Sequence, residues 1–333
     1  MRPESRWGSV EEILAAATDV ETLQTAGVSG ARLERIHVDG TPLVVKRLDP
    51  AADWTMRALG DLSCYTVQLW ERGILERLPA SIGQPVVAAG PDPTRPPGSR
   101  RAVLVMEDVS AWLLPDEDGP ISEELNRRFL THMAELQAAF WGAGDDLEIT
   151  PPLHRYLMLS PWTAIAEAEL GSGLVVPPLI GQGWDRLQEV APRAAEVVVP
   201  LAWDPGPLVE ALDTTPQTFL HGDWKLFNLG ADDEGRTILL DWEMPGRGPG
   251  TAELAWYLAI NCRRLPVSKD ACIAIYREAL ESFGVDTEPW WDRQLSLALL
   301  GGLVQFGWEK CLGGYDDELA WWEEAALRGA TEL

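Results

Sequence analysis

Apolar and polar positions alternate or recur along this chain in a way that predicts its elements in order. Residues 9–17 read as a short helix. Leu33, Ile36 and Val38 then precede Asp39-Gly40, and Leu43, Val44 and Val45 follow it. Asp-Gly between two apolar runs predicts a β-hairpin. A helical region is expected over residues 53–78, and strands over 85–89 and 102–106, joined by the Pro/Gly-rich loop 91–100. From residue 109 the pattern becomes helical. Ser122 stands as an N-cap before Glu123 and Glu124, and Leu125, Phe129, Met133, Leu136 and Phe140 follow at helical spacing. Further helices are expected near 162–170, 184–198, 252–262, 270–283 and 290–312, with two short strands around the turn at 232–235. The predicted fold is therefore α+β. A small strand-rich part, residues 1–108, precedes a larger helical part, 109–333, with a hinge near 106–110. There is no internal repeat.

No apolar run reaches membrane-spanning length. The longest, 295–308, is short and contains Ser296 and Gln305. The opening MRPESRWGSVEE lacks the apolar core of a signal peptide. At 333 residues, 46% hydrophobic and 24% charged, the composition is that of a soluble globular protein of two domains or two lobes.

Charge narrows the partners. Against 52 acidic residues stand 27 basic ones, a formal net charge of −25. That argues against nucleic acid, whose binding rests on neutralising phosphates, and against an anionic membrane surface. A cationic small molecule would be attracted. Cys64, Cys262, Cys272 and Cys311 form no CxxC pair and are too sparse for a disulfide scaffold or a structural zinc site, so free thiols in a reducing cytoplasm are expected. Of four histidines only His221 has suggestive neighbours.

The densest chemistry lies in residues 219–243, FLHGDWKLFNLGADDEGRTILLDWE. An apolar strand leads into His-Gly-Asp, Asn228 follows five residues after Asp223, and a hairpin delivers Asp241 behind Ile238-Leu239-Leu240. These three residues are expected to converge in one loop–hairpin–loop unit. Hard oxygen ligands of this kind suit Mg²⁺.

This segment resembles the kinase-like phosphotransferases, most closely the aminoglycoside phosphotransferase and choline kinase branch, which carries His-Gly-Asp-x-x-x-x-Asn where protein kinases carry His-Arg-Asp-x-x-x-x-Asn. The resemblance implies a two-lobed protein-kinase-like fold. It makes Asp223 the catalytic aspartate, which orients the acceptor hydroxyl and accepts its proton, and gives Mg²⁺ to Asn228 and Asp241. His221 supports the loop. Lys225 is unusual for the branch and is placed to contact the transferring phosphoryl group. The chain has only four lysines, Lys46, Lys225, Lys269 and Lys310, and two of them fall at kinase-like positions.

The N-terminal part fits the same family. Lys46 ends Pro-Leu-Val-Val-Lys, like the third-strand lysine that holds nucleotide phosphates. The turn at 27–31, with Ser29 and Gly30, is expected to cover the phosphates with backbone N–H groups. Family spacing offers Asp61 as the acidic partner of Lys46, with Glu71 as the alternative. Glu107 and Val109 would present backbone groups to adenine, with Met106 behind them. Two departures stand out: Glu253 replaces the aspartate that braces the catalytic loop, and Glu135-Leu136-Gln137 stands where a Leu-His is common.

The acceptor is the least legible part. The chain has 16 tryptophans, and Trp290, Trp291, Trp308, Trp321 and Trp322 lie near Glu309, Asp316, Asp317, Glu318, Glu323 and Glu324. Aromatic faces beside carboxylates suit an amino sugar or a quaternary ammonium group, against the plainer reading of a Trp-rich core with solvated acidic faces. The expected activity is an ATP- or GTP-dependent, Mg²⁺-dependent phosphotransferase acting on a hydroxyl of a small molecule, an aminoglycoside, amino sugar or related metabolite. A non-catalytic nucleotide-binding protein and a protein kinase are the alternatives.

Overall fold

A computed structural model of the chain describes residues 7–23, 31–96, 98–142 and 144–333. Helix α1 (Val10–Ala16) opens on a capping box: the Ser9 hydroxyl accepts from the Glu12 amide and the Glu12 carboxylate from the Ser9 amide. Strands β1 (Thr18–Leu23), β2 (Arg32–Val38) and β3 (Thr41–Leu48) follow. Asp39 and Gly40 both have positive φ, +49° and +76°, as a two-residue hairpin turn of matching twist requires. Next come α2 (Trp54–Leu59), α3 (Tyr65–Glu71), β4 (Ile82–Gly83), β5 (Val86–Pro91) and β6 (Ala102–Glu107). Five strands form one antiparallel sheet in the order β1-β2-β3-β6-β5.

One face of this sheet, Ile36, Leu43, Val45, Val103 and Val105, packs on Val10 and Ile13 of α1. Alternation puts Leu48 and Leu104 on the other face, with Met56 and Val67. Lys46 lies opposite Leu104 in the β3–β6 register and so shares that second face. The single helical region expected over 53–78 is three pieces. Gly60 at φ +66° ends α2, Cys64 at φ +60° precedes α3, and a 3-10 turn occupies Leu75–Arg77. Strand β1 was not anticipated: its residues are almost all exposed, so TDVETL carries no alternation to read.

Residues 116–226 begin the second unit, with α4 (Glu123–Ala139), α5 (Pro152–Leu157), α6 (Pro161–Leu170), α7 (Val176–Val190), α8 (Pro192–Trp203), α9 (Gly206–Asp213) and strand β7 (Thr218–Leu220). Ser122 caps α4 by accepting from the Leu125 amide, as its sequence predicts. The helix expected over 184–198 is two, because Pro192 forces Ala191 out of the helical region (φ −136°, ψ 64°).

The chain returns to the first unit for residues 227–243, which carry the antiparallel pair β8 (Leu229–Ala231) and β9 (Thr237–Leu239), and β9 pairs in parallel with β4. The first unit thus comprises 1–115 and 227–243, so the boundary expected at residue 108 falls inside it. The second unit closes with β10 (Gly246–Gly248), paired with β7, and helices α10 (Gly250–Ile260), α11 (Lys269–Ser282), α12 (Trp291–Lys310) and α13 (Asp317–Gly329). Its core runs along α12, where Leu297, Leu300, Leu303 and Val304 are fully buried. Among the described residues no helix is long and apolar enough to cross a membrane. The four cysteines are free thiols.

Candidate active site

In the first unit, strand β3 carries Lys46 to a pair of carboxylates 195 residues further on. Its Nζ forms ion pairs with both Asp241 and Glu243. Burial by itself would lower the pKa of this ammonium, but the charges of Asp241 and Glu243 outweigh it and raise the pKa, so Lys46 is firmly protonated. Burial and the neighbouring Asp241 push Glu243 up to about 7. Glu243 was not singled out from the sequence, although its place two residues after Asp241 was the available signal.

The segment that carries these carboxylates is tightly fixed. Leu240 donates its amide to the Asn228 carbonyl at 3.0 Å, tying the end of β9 to the start of β8. Asp241 adopts the left-handed conformation, φ +65°, which Asp tolerates better than most residues. Trp242 is buried, and its carbonyl accepts from the Thr66 hydroxyl of α3 at 2.6 Å. Asn228 is itself buried, 3% exposed. Asn228, Asp241 and Glu243 carry oxygen atoms of the kind that hard divalent cations take, although among the described residues no group of three or more His, Cys, Asp or Glu side chains is placed to hold a metal ion.

Asp61 is engaged away from Lys46. Its two carboxylate oxygens accept from the Ser63 and Tyr65 amides, at 3.2 and 2.9 Å, and so cap the entry to α3. Burial pushes its pKa up to about 6, where a partner ammonium would push it down. Glu71, the alternative partner, is exposed at the end of α3. Sequence spacing placed an acid near the lysine, but the acids that reach it lie after β9. Glu107 ends β6 with its side chain exposed and its amide bonded to the Pro85 carbonyl, while Val109 is buried and its carbonyl accepts from the Trp112 amide. Ser29 and Gly30 lie outside the described residues.

In the second unit, Asp223 follows β7 and is 7% exposed. Lys225 Nζ lies 2.6 Å from its Oδ2, and the Trp256 indole donates to its Oδ1 at 3.1 Å. His221 is fully buried, and its Nδ1 accepts from the Asp223 amide at 3.2 Å. The loop is braced from α10. Glu253 accepts from the Gly222 amide at 2.6 Å and from Gln137 Nε2 at 2.9 Å, and burial pushes its pKa up to about 7. Asn261 accepts from the Leu226 amide at 2.9 Å and fixes the loop's far end. Trp256 and Asn261 were not anticipated. Trp256 lies three residues after Glu253, on the same helix face, which was the signal available for it.

Several members of the tryptophan-and-acid cluster near the C-terminus serve the fold. Trp291, Trp308 and Trp322 are buried, Glu318 pairs with Lys269 and Lys310, and Glu323 accepts from the Tyr315 hydroxyl and the Ala194 amide. Asp316 caps α13.

Residues 22–291 match the model of the phosphotransferase enzyme family, APH. Comparison with curated proteins finds no match. Among solved structures, choline kinase LicA from Streptococcus pneumoniae is similar at a TM-score of 0.50 and 13% identity, over 96% of this chain and 95% of that one. A thermostable mutant of aminoglycoside phosphotransferase APH(4)-Ia, in its apo form, gives 0.46 and 14% over 96% of both chains. Amicoumacin kinase hAmiN, in complex with AMP-PNP, Ca²⁺ and Ami, gives 0.45 and 12% over 94% and 88%.

Proposed function

The chain belongs to the phosphotransferase enzyme family, and from that premise we propose that it is a small-molecule kinase that moves the γ-phosphate of ATP or GTP to a hydroxyl of its acceptor. The observation that carries this reading is the ion pair of Lys46 with Asp241, two residues far apart in sequence that the resemblance had assigned to nucleotide and metal.

Each residue then has a task. Lys46 neutralises nucleotide phosphate oxygens as a point charge. Asn228 and Asp241 would hold Mg²⁺, which would supply positive charge beside the nucleotide phosphates. Asp223 orients the acceptor hydroxyl and takes its proton as the new O–P bond forms, and the nucleoside diphosphate leaves with the electrons of the broken P–O bond. Lys225 pairs with Oδ2 of Asp223 at 2.6 Å, which keeps an ammonium beside the reacting carboxylate.

The test is nucleotide turnover in Asp223→Asn and Asp241→Asn. Both are expected to lose roughly 10³-fold or more in kcat while keeping the native melting behaviour. Undiminished turnover in both would remove the assignment. The acceptor candidates at this stage run from amino sugars to choline-like alcohols. A protein kinase is disfavoured because the chain passes from Asp241 through β10 directly into α10 at Gly250.

A further inference from the structure

A cavity of about 50 Å³ lies in the second unit, walled by Tyr156 of α5, Leu212 of α9, Ala252 and Trp256 of α10 and Gln305 of α12. It adjoins the catalytic loop directly. Gly222 lines it, and Trp256, which forms one wall, is the residue that donates to Asp223. From the proposed function, on which this step rests, such a cavity is where an acceptor's body sits while its hydroxyl meets Asp223.

Its chemistry is unlike that of a site for polycations. Two carboxylates line it, and both already answer to protein donors. Glu253 is held by the Gly222 amide and Gln137, and Asp213 by Arg247 at 2.7 Å. The Arg155 guanidinium lines the same cavity, bonded to the carbonyls of Met244 and Arg247. An ammonium entering here would meet a guanidinium and find its anions engaged. What the walls do offer is apolar and aromatic surface together with amide oxygens. The NH₂ groups of Gln217 and Gln305 donate to backbone carbonyls, so the face each can turn to a ligand is an acceptor, suited to a hydroxyl. Size points the same way. About 50 Å³ is a third of the dry cavity, about 150 Å³, that takes up one benzene, and this one opens to solvent, so what it encloses is one small hydroxyl-bearing part of an acceptor.

We propose that the acceptor is an alcohol whose hydroxyl-bearing end is small and uncharged and is seated against Trp256 and Tyr156, and that polycationic amino sugars are poor acceptors. The net charge of −25 pointed toward cations, but that charge is spread over the whole surface, whereas acceptor choice is set by the few groups lining this cavity.

The test uses the full chain with MgATP and reads nucleotide consumption and product mass. Glycerol, myo-inositol, glucose and benzyl alcohol are compared with kanamycin and hygromycin B. The best uncharged alcohol is expected to exceed both amino sugars in kcat/KM by about tenfold or more. Ala252→Phe, which fills the cavity, is expected to raise the KM of that alcohol about tenfold and leave the KM of ATP unchanged. Val209→Phe on the neighbouring wall serves the same purpose should the first variant misfold. An amino sugar winning by the same margin, no turnover of any uncharged alcohol, or an acceptor KM unmoved in a folded variant would each overturn the inference. Asp223→Asn separates the two levels: turnover surviving in it defeats the role given to Asp223, and no nucleotide consumption by the wild type with any acceptor defeats the phosphotransfer reading, whatever the acceptor ranking.

Discussion

The Trp256 indole N–H and the Lys225 ammonium hold opposite oxygens of one carboxylate, that of Asp223, at 3.1 and 2.6 Å. A carboxylate on a single torsion can swing, and two donors on its two oxygens fix its plane. Loss of the indole donor frees that rotation without touching a nucleotide-binding group. Trp256→Phe keeps most of the packing against Phe306 and removes one hydrogen bond, a change of about 1 kcal/mol or somewhat more because the acceptor is charged. Steady-state kinetics should show kcat lower by roughly tenfold with the KM of ATP unchanged. A purely structural role would instead lower the melting temperature and leave kcat of the folded enzyme intact.

Two departures from the family pattern, Gln137 and Glu253, prove to be one feature. Gln137 donates to Glu253, which in turn accepts from the Gly222 amide beside the catalytic aspartate. Glu253→Ala would leave a buried amide and a buried carboxamide without this acceptor. The expected loss is about 2–4 kcal/mol, seen as a lower urea midpoint with unchanged slope. Glu123→Ala, on the exposed first turn of α4, should change stability by less than about 0.5 kcal/mol.

These contacts mark how far the sequence could be read. The Asp39-Gly40 hairpin, the Ser122 cap and the positions of α10 to α12 were legible because each depends on local chemistry. The kinase-like order of Lys46, Asp223, Asn228 and Asp241 was legible as a motif. What escaped depends on tertiary contacts. Gln137 and Glu253 lie 116 residues apart, and no local rule says that they touch. Lys46 was matched to Asp61 by spacing, yet the chain returns through β8 and β9 to present Asp241 and Glu243 instead. The acidic cluster near residues 309–324 could not be told from a binding site until Glu318 was seen paired with Lys269 and Lys310, and Glu323 with Tyr315.

Asp61 gives a prediction in pH. Its folded pKa is raised to about 6, from 3.8, by burial. Between those values the folded state binds more protons than the unfolded chain, so this group's contribution to stability is fully present below about pH 3.8 and is lost as pH rises through about 6. The whole effect is about 3 kcal/mol at most. Stability of the wild type relative to Asp61→Asn should therefore fall between pH 4 and pH 7. Carboxyl NMR should place the Asp61 titration near 6. A value below 3.8 would mean that the Ser63 and Tyr65 amides, which favour the ionised form, outweigh burial.

Gly222 and Gly40 together separate two costs that a glycine can carry. Both have positive φ, +90° and +76°, so alanine at either strains the backbone by about 1–2 kcal/mol. Around Gly40 a methyl group would meet nothing within 4 Å, whereas at Gly222 it would lie 2.0 Å from the Met244 carbonyl oxygen and 2.7 Å from its carbon. Backbone atoms cannot swing aside like the end of a side chain, so the loop between His221 and Asp223 would have to move, and the Gly222 amide would be pulled from Glu253. Gly40→Ala should cost only the conformational part and leave kcat unchanged. Gly222→Ala should cost about 3 kcal/mol or more and abolish turnover even in the molecules that fold. Equal costs in chemical denaturation would mean that the loop relaxes around the added methyl, and then the tight approach of Met244 to the catalytic loop is not what holds Asp223 in place.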